Sequence, residues 1–398
     1  MIQGFPRADG RKGIRNAVVV AYLVECAHHV AHRIAQPFQD QGAQVIGFAG
    51  CFPNAYADRM LRALTTHPNV GAVLLVSLGC ESFDRRGLRE HIQASGRPVE
   101  LLVIQQKGGT RATIDAGRAW LAATLPGLAD APRVAMAPEE LVVGTICGGS
   151  DATSGIAANP AMGRAFDLLV ADGAACIFEE TGELIGCESY MARRAATPEL
   201  GQAIVDSVAK AHRYYATLGH ASISPGNAEG GLTTIEEKSM GAYAKSGNSP
   251  IVGLLKPTDR PPGGGLYLLD MVPDGDVRFG FPSINDTEEI GELIACGAHL
   301  VLFSTGRGSV VGSAVSPVIK VCGNPETYQR LADDMDVDAG RILQGRADLD
   351  QVGREIRDLV LAVAAGARTR SEALGHQEFY LKYKRFEPAG PACLPTAA

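Results

Sequence analysis

Short apolar runs alternate with amphipathic stretches over the first hundred or so residues, and this alternation limits the fold more than any other feature of the chain. Residues 17–24 (Ala-Val-Val-Val-Ala-Tyr-Leu-Val), 44–48, 71–78 and 99–104 are rich in aliphatic side chains and short enough for strands. Between them, residues 27–38, 56–65 and 85–93 carry the spacing of amphipathic helices, and residues 110–125 continue as a helix with Thr110 as its N-cap. Continuously apolar strands separated by helices predict a parallel sheet covered on both faces. Residues 126–138, rich in Pro, Ala and Asp, are expected to be a linker. Beyond it the pattern resumes, with strands over 140–146, 174–178, 265–270 and 298–304 and helices over 166–172, 200–217, 327–335 and 349–364. The expected fold is α/β: an N-terminal domain over 1–130 and a C-terminal domain over 139–398, each a mainly parallel sheet covered by helices.

In open parallel sheets ligands sit beyond the carboxyl ends of the strands. The polar clusters fall there: Cys51, Gly79-Cys80-Glu81 and Lys107-Gly108-Gly109-Thr110 in the first part, then Cys147-Gly-Gly149-Ser150-Asp151, Glu179-Glu180-Thr181, Asp270 and Thr305-Gly-Arg307 in the second. The loop from Cys147 to Pro160 holds a thiol, glycines, hydroxyls, a carboxylate and the Asn159 amide, a composition suited to close approach of a small oxygen-rich ligand. Gly226-Asn227-Ala-Glu-Gly-Gly231 has the same character.

Several function classes are disfavoured. A net charge of −7 without a basic block argues against nucleic acid or an anionic membrane as partner. No apolar stretch suits a bilayer span or a signal peptide, and the nine cysteines lack CxxC pairing, so a cytoplasmic location with free thiols is expected. Neither a dinucleotide-binding G-x-G-x-x-G after the first strand, nor a Walker sequence, nor a G-x-S-x-G elbow is present.

Taken together, Arg7-Ala-Asp-Gly-Arg-Lys-Gly-Ile-Arg-Asn16, Gly79-Cys-Glu81, Gly108-Gly-Thr110, Cys147-Gly-Gly-Ser-Asp151 with Asn159-Pro160, Glu180-Thr-Gly-Glu183 with Glu188, the 226–239 segment and Thr305-Gly-Arg-Gly308 carry a family resemblance. The run Asp333-Asp-Met-Asp-Val-Asp338 matches as well. The chain resembles the large C-terminal part of the altronate and galactarate dehydratases, a family that includes the large subunit of sulfolactate sulfo-lyase. The resemblance covers essentially the whole chain. It implies a hydro-lyase that removes water from a 2,3-dihydroxy sugar acid to give a 2-keto-3-deoxy acid, with a divalent metal, Fe2+ or Mn2+. It also implies a small domain that relatives carry ahead of the Arg7 segment or as a separate subunit; here that piece is expected from another chain, if it is needed. Where relatives have a histidine near Cys51, this chain has Gly47-Phe-Ala-Gly-Cys-Phe-Pro53, and Gly182 stands where proline is frequent.

Elimination from a hydroxy acid needs a base for the α-proton, positive charge beside the enediolate and an acid for the leaving hydroxyl. Lys238, Glu180 and Glu183 are the catalytic candidates, with Lys238 a base or an enediolate clamp. Gly108, Gly109, Thr110, Gly149, Ser150, Asp151, Asn159, Asn227, Thr305 and Arg307 are the substrate-binding candidates, the last a bidentate carboxylate clamp. Cys51, Cys80, Cys147 and Glu188 are the metal candidates; three thiolates can hold a mononuclear iron or, alternatively, an iron–sulfur cluster. Arg7, Arg11 and Arg15 bind substrate or pair with acidic neighbours. His28, His29, His376 with Glu378, and Asp334, Asp336 and Asp338 read more readily as structural or solvated groups. Two rivals remain: a sulfo-lyase, and a non-catalytic sugar-acid-binding paralogue. A homo-oligomer is expected.

Overall fold

The computed structural model describes residues 2–218, 225–274 and 285–384. A four-stranded parallel sheet is built from β3 (Ala17–Tyr22), β4 (Ala43–Gly47), β5 (Val70–Ser77) and β6 (Val99–Val103), in the order β4-β3-β5-β6. A seven-stranded parallel sheet contains β8 (Val142–Cys147), β9 (Ala175–Phe178), β10 (Ile251–Leu255), β11 (Gly265–Leu269), β12 (Leu300–Thr305), β13 (Val318–Cys322) and β14 (Val337–Asp338), in the order β10-β11-β9-β8-β12-β13-β14. Both sheets are wrapped by helices, as the apolar runs require: every residue of β5, β11 and β12 is buried.

A third, antiparallel sheet was not visible in the sequence. It joins β1 (Ile2–Pro6) to β2 (Lys12–Gly13) and to β7 (Val134–Met136). The expected 126–138 linker is therefore structured: the helix Thr110–Ala129 runs through Pro126, and β7 follows. That helix is capped by Gly109, at φ 94°, rather than by Thr110. Arg7, Arg11 and Arg15 tie this small sheet to its surroundings. Arg7 donates to the Pro68 carbonyl at 2.7 Å, Arg11 donates to the Thr66 carbonyl at 2.8 Å, and Arg15 pairs with Glu372 at 2.7 Å.

The two parallel sheets share a core. One apolar cluster contains Val19, Leu75, Tyr56 and Leu61 from the first unit and Ile146, Ile177, Phe303 and Leu293 from the second. The helix Asp286–Ala295 lies in that shared layer with Ile290, Leu293 and Ile294 buried. A second cluster covers the opposite face of the larger sheet, beneath the helices Asn159–Ala171 and Leu349–Ala364.

In the large sheet β8 is followed in sequence by β9 on one side, while β12 returns on the other. The strand order reverses at β8, so the carboxyl ends of β8, β9 and β12 open on a crevice at the topological switch point.

Candidate active site

The residue at the end of β8, Cys147, is the centre of a compact group of charged side chains. Its Sγ lies 3.2 Å from Oε2 of Glu180, 3.2 Å from Oε2 of Glu183, 3.6 Å from Nζ of Lys238 and 3.4 Å from Nζ of Lys245. Lys238 pairs with Glu183, and Lys245 with Glu180. The Cys147 backbone N–H donates to Oε2 of Glu180 at 2.9 Å. Two carboxylates and two ammonium groups thus alternate around one thiol, with Lys238 and Lys245 both buried.

Local structure sets each of these positions. Glu180 follows β9 in the left-handed region at φ 75°, ψ 51°, a conformation that costs a non-glycine residue about 1 kcal/mol or more. This sharp turn sends the chain into the short helix Thr181–Leu184, which brings Glu183 back to the same thiol. The helix Ile235–Ala244, capped by Thr234 through the Glu237 N–H, carries Lys238. Lys245 follows seven residues later, two helical turns on, and so lies on the same face. That spacing was the signal by which the sequence could have revealed Lys245.

Burial pushes the Cys147 thiol up, the Glu183 charge adds to this, and the two lysines oppose it. Burial works against the Lys238 ammonium, but Cys147 and Glu183 outweigh it and raise its pKa. Lys238 is therefore a fixed cation, which favours the clamp over the base.

The surrounding loops converge on the same crevice. The Gly149 carbonyl accepts from the N–H groups of Gly306 and Arg307, at 3.2 and 2.9 Å. Asn227 donates to the Ser150 carbonyl at 3.0 Å, and Ser304 donates to the Asn159 amide oxygen. Asp151 accepts from the Thr153 hydroxyl at 2.6 Å and the Ser154 N–H at 2.9 Å. Thr305 accepts from the Gly308 N–H at 2.9 Å. Arg307 is held by the Gly226 carbonyl and by Glu229 at 3.0 Å. Gly149, Ser150, Asp151, Asn159, Asn227, Thr305 and Arg307 thus form one loop assembly, in which the Ser150 hydroxyl is buried without a hydrogen-bond partner among the described residues.

Other candidates lie elsewhere. Gly108, Gly109 and Thr110 form the start of a helix in the four-stranded unit, and among the described residues nothing joins them to Cys147. Cys51 and Cys80 are exposed loop residues beyond β4 and β5 of that same unit, where the Ser82 N–H meets the Cys51 carbonyl at 2.9 Å. A strand-end position does not reveal which sheet a cysteine serves. Glu188 opens the helix Glu188–Arg194 outside the central group. His28 pairs with Glu25 on the exposed face of the helix Glu25–Ala35, His376 contacts Glu378 at 2.9 Å, and Asp336 accepts from the backbone N–H groups of Lys320 and Arg370.

Among the described residues, Cys147, Glu180 and Glu183 are the group that brings three ligand atoms within 4.8 Å of one another. One sulfur and two carboxylate oxygens suit a divalent transition metal in number and type. Glu180 and Glu183 also hold the two lysines, so a metal there would share its carboxylates with fixed ammonium groups.

Asp286, the first residue of the helix Asp286–Ala295, was missed by the sequence reading. A Cβ on Gly148 would collide with its carboxylate and with the Phe303 ring, so only glycine admits it against the end of β8. Burial raises its pKa to about 6, the Glu183 charge contributes, and Lys238 opposes.

Residues 138–386 match the family described as D-galactarate/Altronate dehydratase, C-terminal, and residues 4–129 match D-galactarate dehydratase/Altronate hydrolase, second domain. The chain belongs to the galactarate/altronate dehydratase family. It is 34% identical over 388 residues to the (2R)-sulfolactate sulfo-lyase subunit beta of Chromohalobacter salexigens, covering 95% of this chain and 96% of that one. It is 31% identical to the altronate dehydratase of Escherichia coli, covering 93% of this chain and 75% of that one. To the galactarate dehydratase (L-threo-forming) of the same organism it is 32% identical, covering 92% and 73% respectively. As a member of this family the chain is a lyase. Among the described residues, no helix is long and apolar enough to cross a membrane.

Proposed function

We propose that the chain is a hydro-lyase that dehydrates a 2,3-dihydroxy sugar acid, an aldonate or aldarate, to a 2-keto-3-deoxy acid. The observation that carries this reading is the alternating group of Cys147, Glu180, Glu183, Lys238 and Lys245 at the switch point of the large sheet. Removing the C2 proton places negative charge on the substrate carboxylate, and fixed cations in a dry crevice stabilise it. Lys238 and Lys245 supply that charge without reorganisation, because Glu183 and Glu180 already hold them in place. The 149–151, 226–231 and 305–307 loops offer backbone and hydroxyl groups to the substrate's polyhydroxyl chain. Cys147, Glu180 and Glu183 would hold Fe2+ or Mn2+; such a metal supplies Lewis-acid polarisation of substrate oxygen.

A sulfo-lyase on (2R)-sulfolactate is the second reading, favoured by the near-complete overlap with the sulfo-lyase subunit beta. The same overlap, against three-quarters of the altronate dehydratase, supports a separate small subunit as partner. The test is anaerobic incubation with altronate, galactarate or (2R)-sulfolactate and added Fe2+ or Mn2+, with and without such a subunit. A keto-deoxy acid from either sugar acid supports the first reading, and sulfite with pyruvate the second. Glu180→Gln should abolish turnover while the melting transition persists; full activity in that variant would remove Glu180 from the chemistry.

A further inference from the structure

We propose that Asp286 is the base that removes the substrate's C2 proton, a role that rests on the lyase reading above. Lys238 and Lys245 are buried and each amine is engaged by a carboxylate, so neither is available to take a proton from substrate. Glu180 and Glu183 are occupied by those lysines and by the Cys147 thiol. The Cys147 sulfur is enclosed by those same four side chains. A base needs an accessible lone pair within reach of the substrate.

Asp286 meets that requirement. Among the described residues its carboxylate has no ion-pair partner and accepts from no other side chain. Glu179 also has carboxylate oxygens without partners among the described residues but is wholly buried, whereas Asp286 is half-buried and lies over Gly148, the residue after the central cysteine. Its position is fixed from outside the site. Asn285 caps the helix by accepting from the Glu288 N–H, and Ile290, Leu293 and Ile294 anchor the helix in the core shared by the two sheets. The two charges that act on it most are those of Glu183 and Lys238, the pair that borders the thiol.

The step balances without a further reagent. The proton on C2 passes to an Asp286 oxygen, and the C–H electron pair enters the enediolate beside Lys238 and Lys245. That pair then forms the C2–C3 double bond as the C3–O bond breaks. The leaving oxygen takes the proton back from Asp286 and departs as water, so the carboxylate is regenerated. The enol ketonises by taking a solvent proton at C3 and releasing its hydroxyl proton.

The test follows the C2 hydrogen directly. Wild type, Asp286→Asn and Asp286→Glu are incubated in D2O with altronate, galactarate or (2R)-sulfolactate, and C2 exchange and product are read by NMR; substrate affinity is read by calorimetry. Asp286→Asn should lose exchange and turnover together, by about 100-fold or more, with affinity within a few-fold of wild type. Asp286→Glu should restore part of both. Exchange retained in Asp286→Asn, or a loss confined to affinity, overturns the assignment and leaves the lyase reading standing. A wild type that neither exchanges nor converts any of the three overturns both.

Discussion

At the residue scale, the site is a balance of buried charge in which each group is defined by its partner. Lys245 shows this most clearly, because it is wholly buried and its ammonium has Glu180 and the Cys147 sulfur for company. Removing one member of a buried pair leaves the other uncompensated, typically at a cost of about 3–5 kcal/mol. Lys245→Met should therefore destabilise the protein by that order in urea unfolding and lower turnover by about 100-fold. The double variant Glu180→Gln, Lys245→Met should recover much of the stability and none of the activity. If instead Lys245→Met turns over normally, the enediolate is stabilised by Lys238 without it. The thiol poses a separate question. Cys147→Ser replaces sulfur by a smaller, harder donor, so bound Fe2+ should fall in metal analysis of the purified protein; unchanged metal content would make Cys147 a packing and hydrogen-bonding residue.

At the scale of elements, the lysines are placed by the way one helix seats another. Gly163, inside the helix Asn159–Ala171, lies against the end of the helix Ile235–Ala244, where an added Cβ would come within 2.7 Å of the Gly247 N and 3.0 Å of its Cα. Alanine gains about 1 kcal/mol in helix propensity over glycine, but overpacking against rigid backbone typically costs about 1–3 kcal/mol. Gly163→Ala should thus be destabilising in urea and should reduce turnover through displaced Lys238 and Lys245; a more stable variant would show that the helices separate freely. Elements of this kind were unevenly legible in the sequence. Strands β3, β5, β8, β9, β11 and β12 could be read because parallel strands buried on both faces leave continuous apolar runs. β13 escaped because Lys320 interrupts Val318–Cys322, although that lysine is buried and donates to the Val311 carbonyl at 3.2 Å. β1, β2 and β7 escaped because Gly-Phe-Pro and isolated short segments carry no period, and the pairing of β1 with β7 links positions more than a hundred residues apart. The same limit applies to the site. Cys147, Glu180, Glu183 and Lys238 stood out by their strand-end or glycine-loop setting, whereas Asp286 enters from a helix whose acidic start reads as ordinary N-terminal charge.

At the scale of the molecule, the three sheets meet around two buried histidines, and these make the assembly sensitive to acid. Nε2 of His299 lies 2.8 Å from the Lys12 carbonyl of β2, and its Nδ1 accepts from the Val142 N–H of β8 at 3.0 Å. His67 is packed against it with ring centroids 6.1 Å apart. Asn69 completes the junction, accepting from the Ile14 N–H and donating to the His299 and Val315 carbonyls. Burial lowers the His299 pKa to about 4 and also depresses that of His67. Both rings therefore stay neutral in the fold at pH values where the unfolded chain protonates them. The unfolded state binds more protons below its own histidine pKa near 6.5, so stability falls as pH drops from there toward about 4. The buried carboxyls Glu179, Glu289 and Glu292 act in the opposite sense. Their pKa values are raised in the fold, principally by burial, so the cost of holding them ionised is relieved as pH falls. A bare pH profile of stability would mix the two trends, and a difference measurement separates them. His299→Gln retains an acceptor and a donor but cannot titrate, and the carboxyls are common to both proteins. The stability gap between wild type and His299→Gln should narrow by about 3 kcal/mol between pH 7 and pH 4. A gap independent of pH would mean that His299 protonates within the fold as readily as outside it, and that the junction of the three sheets admits a charge.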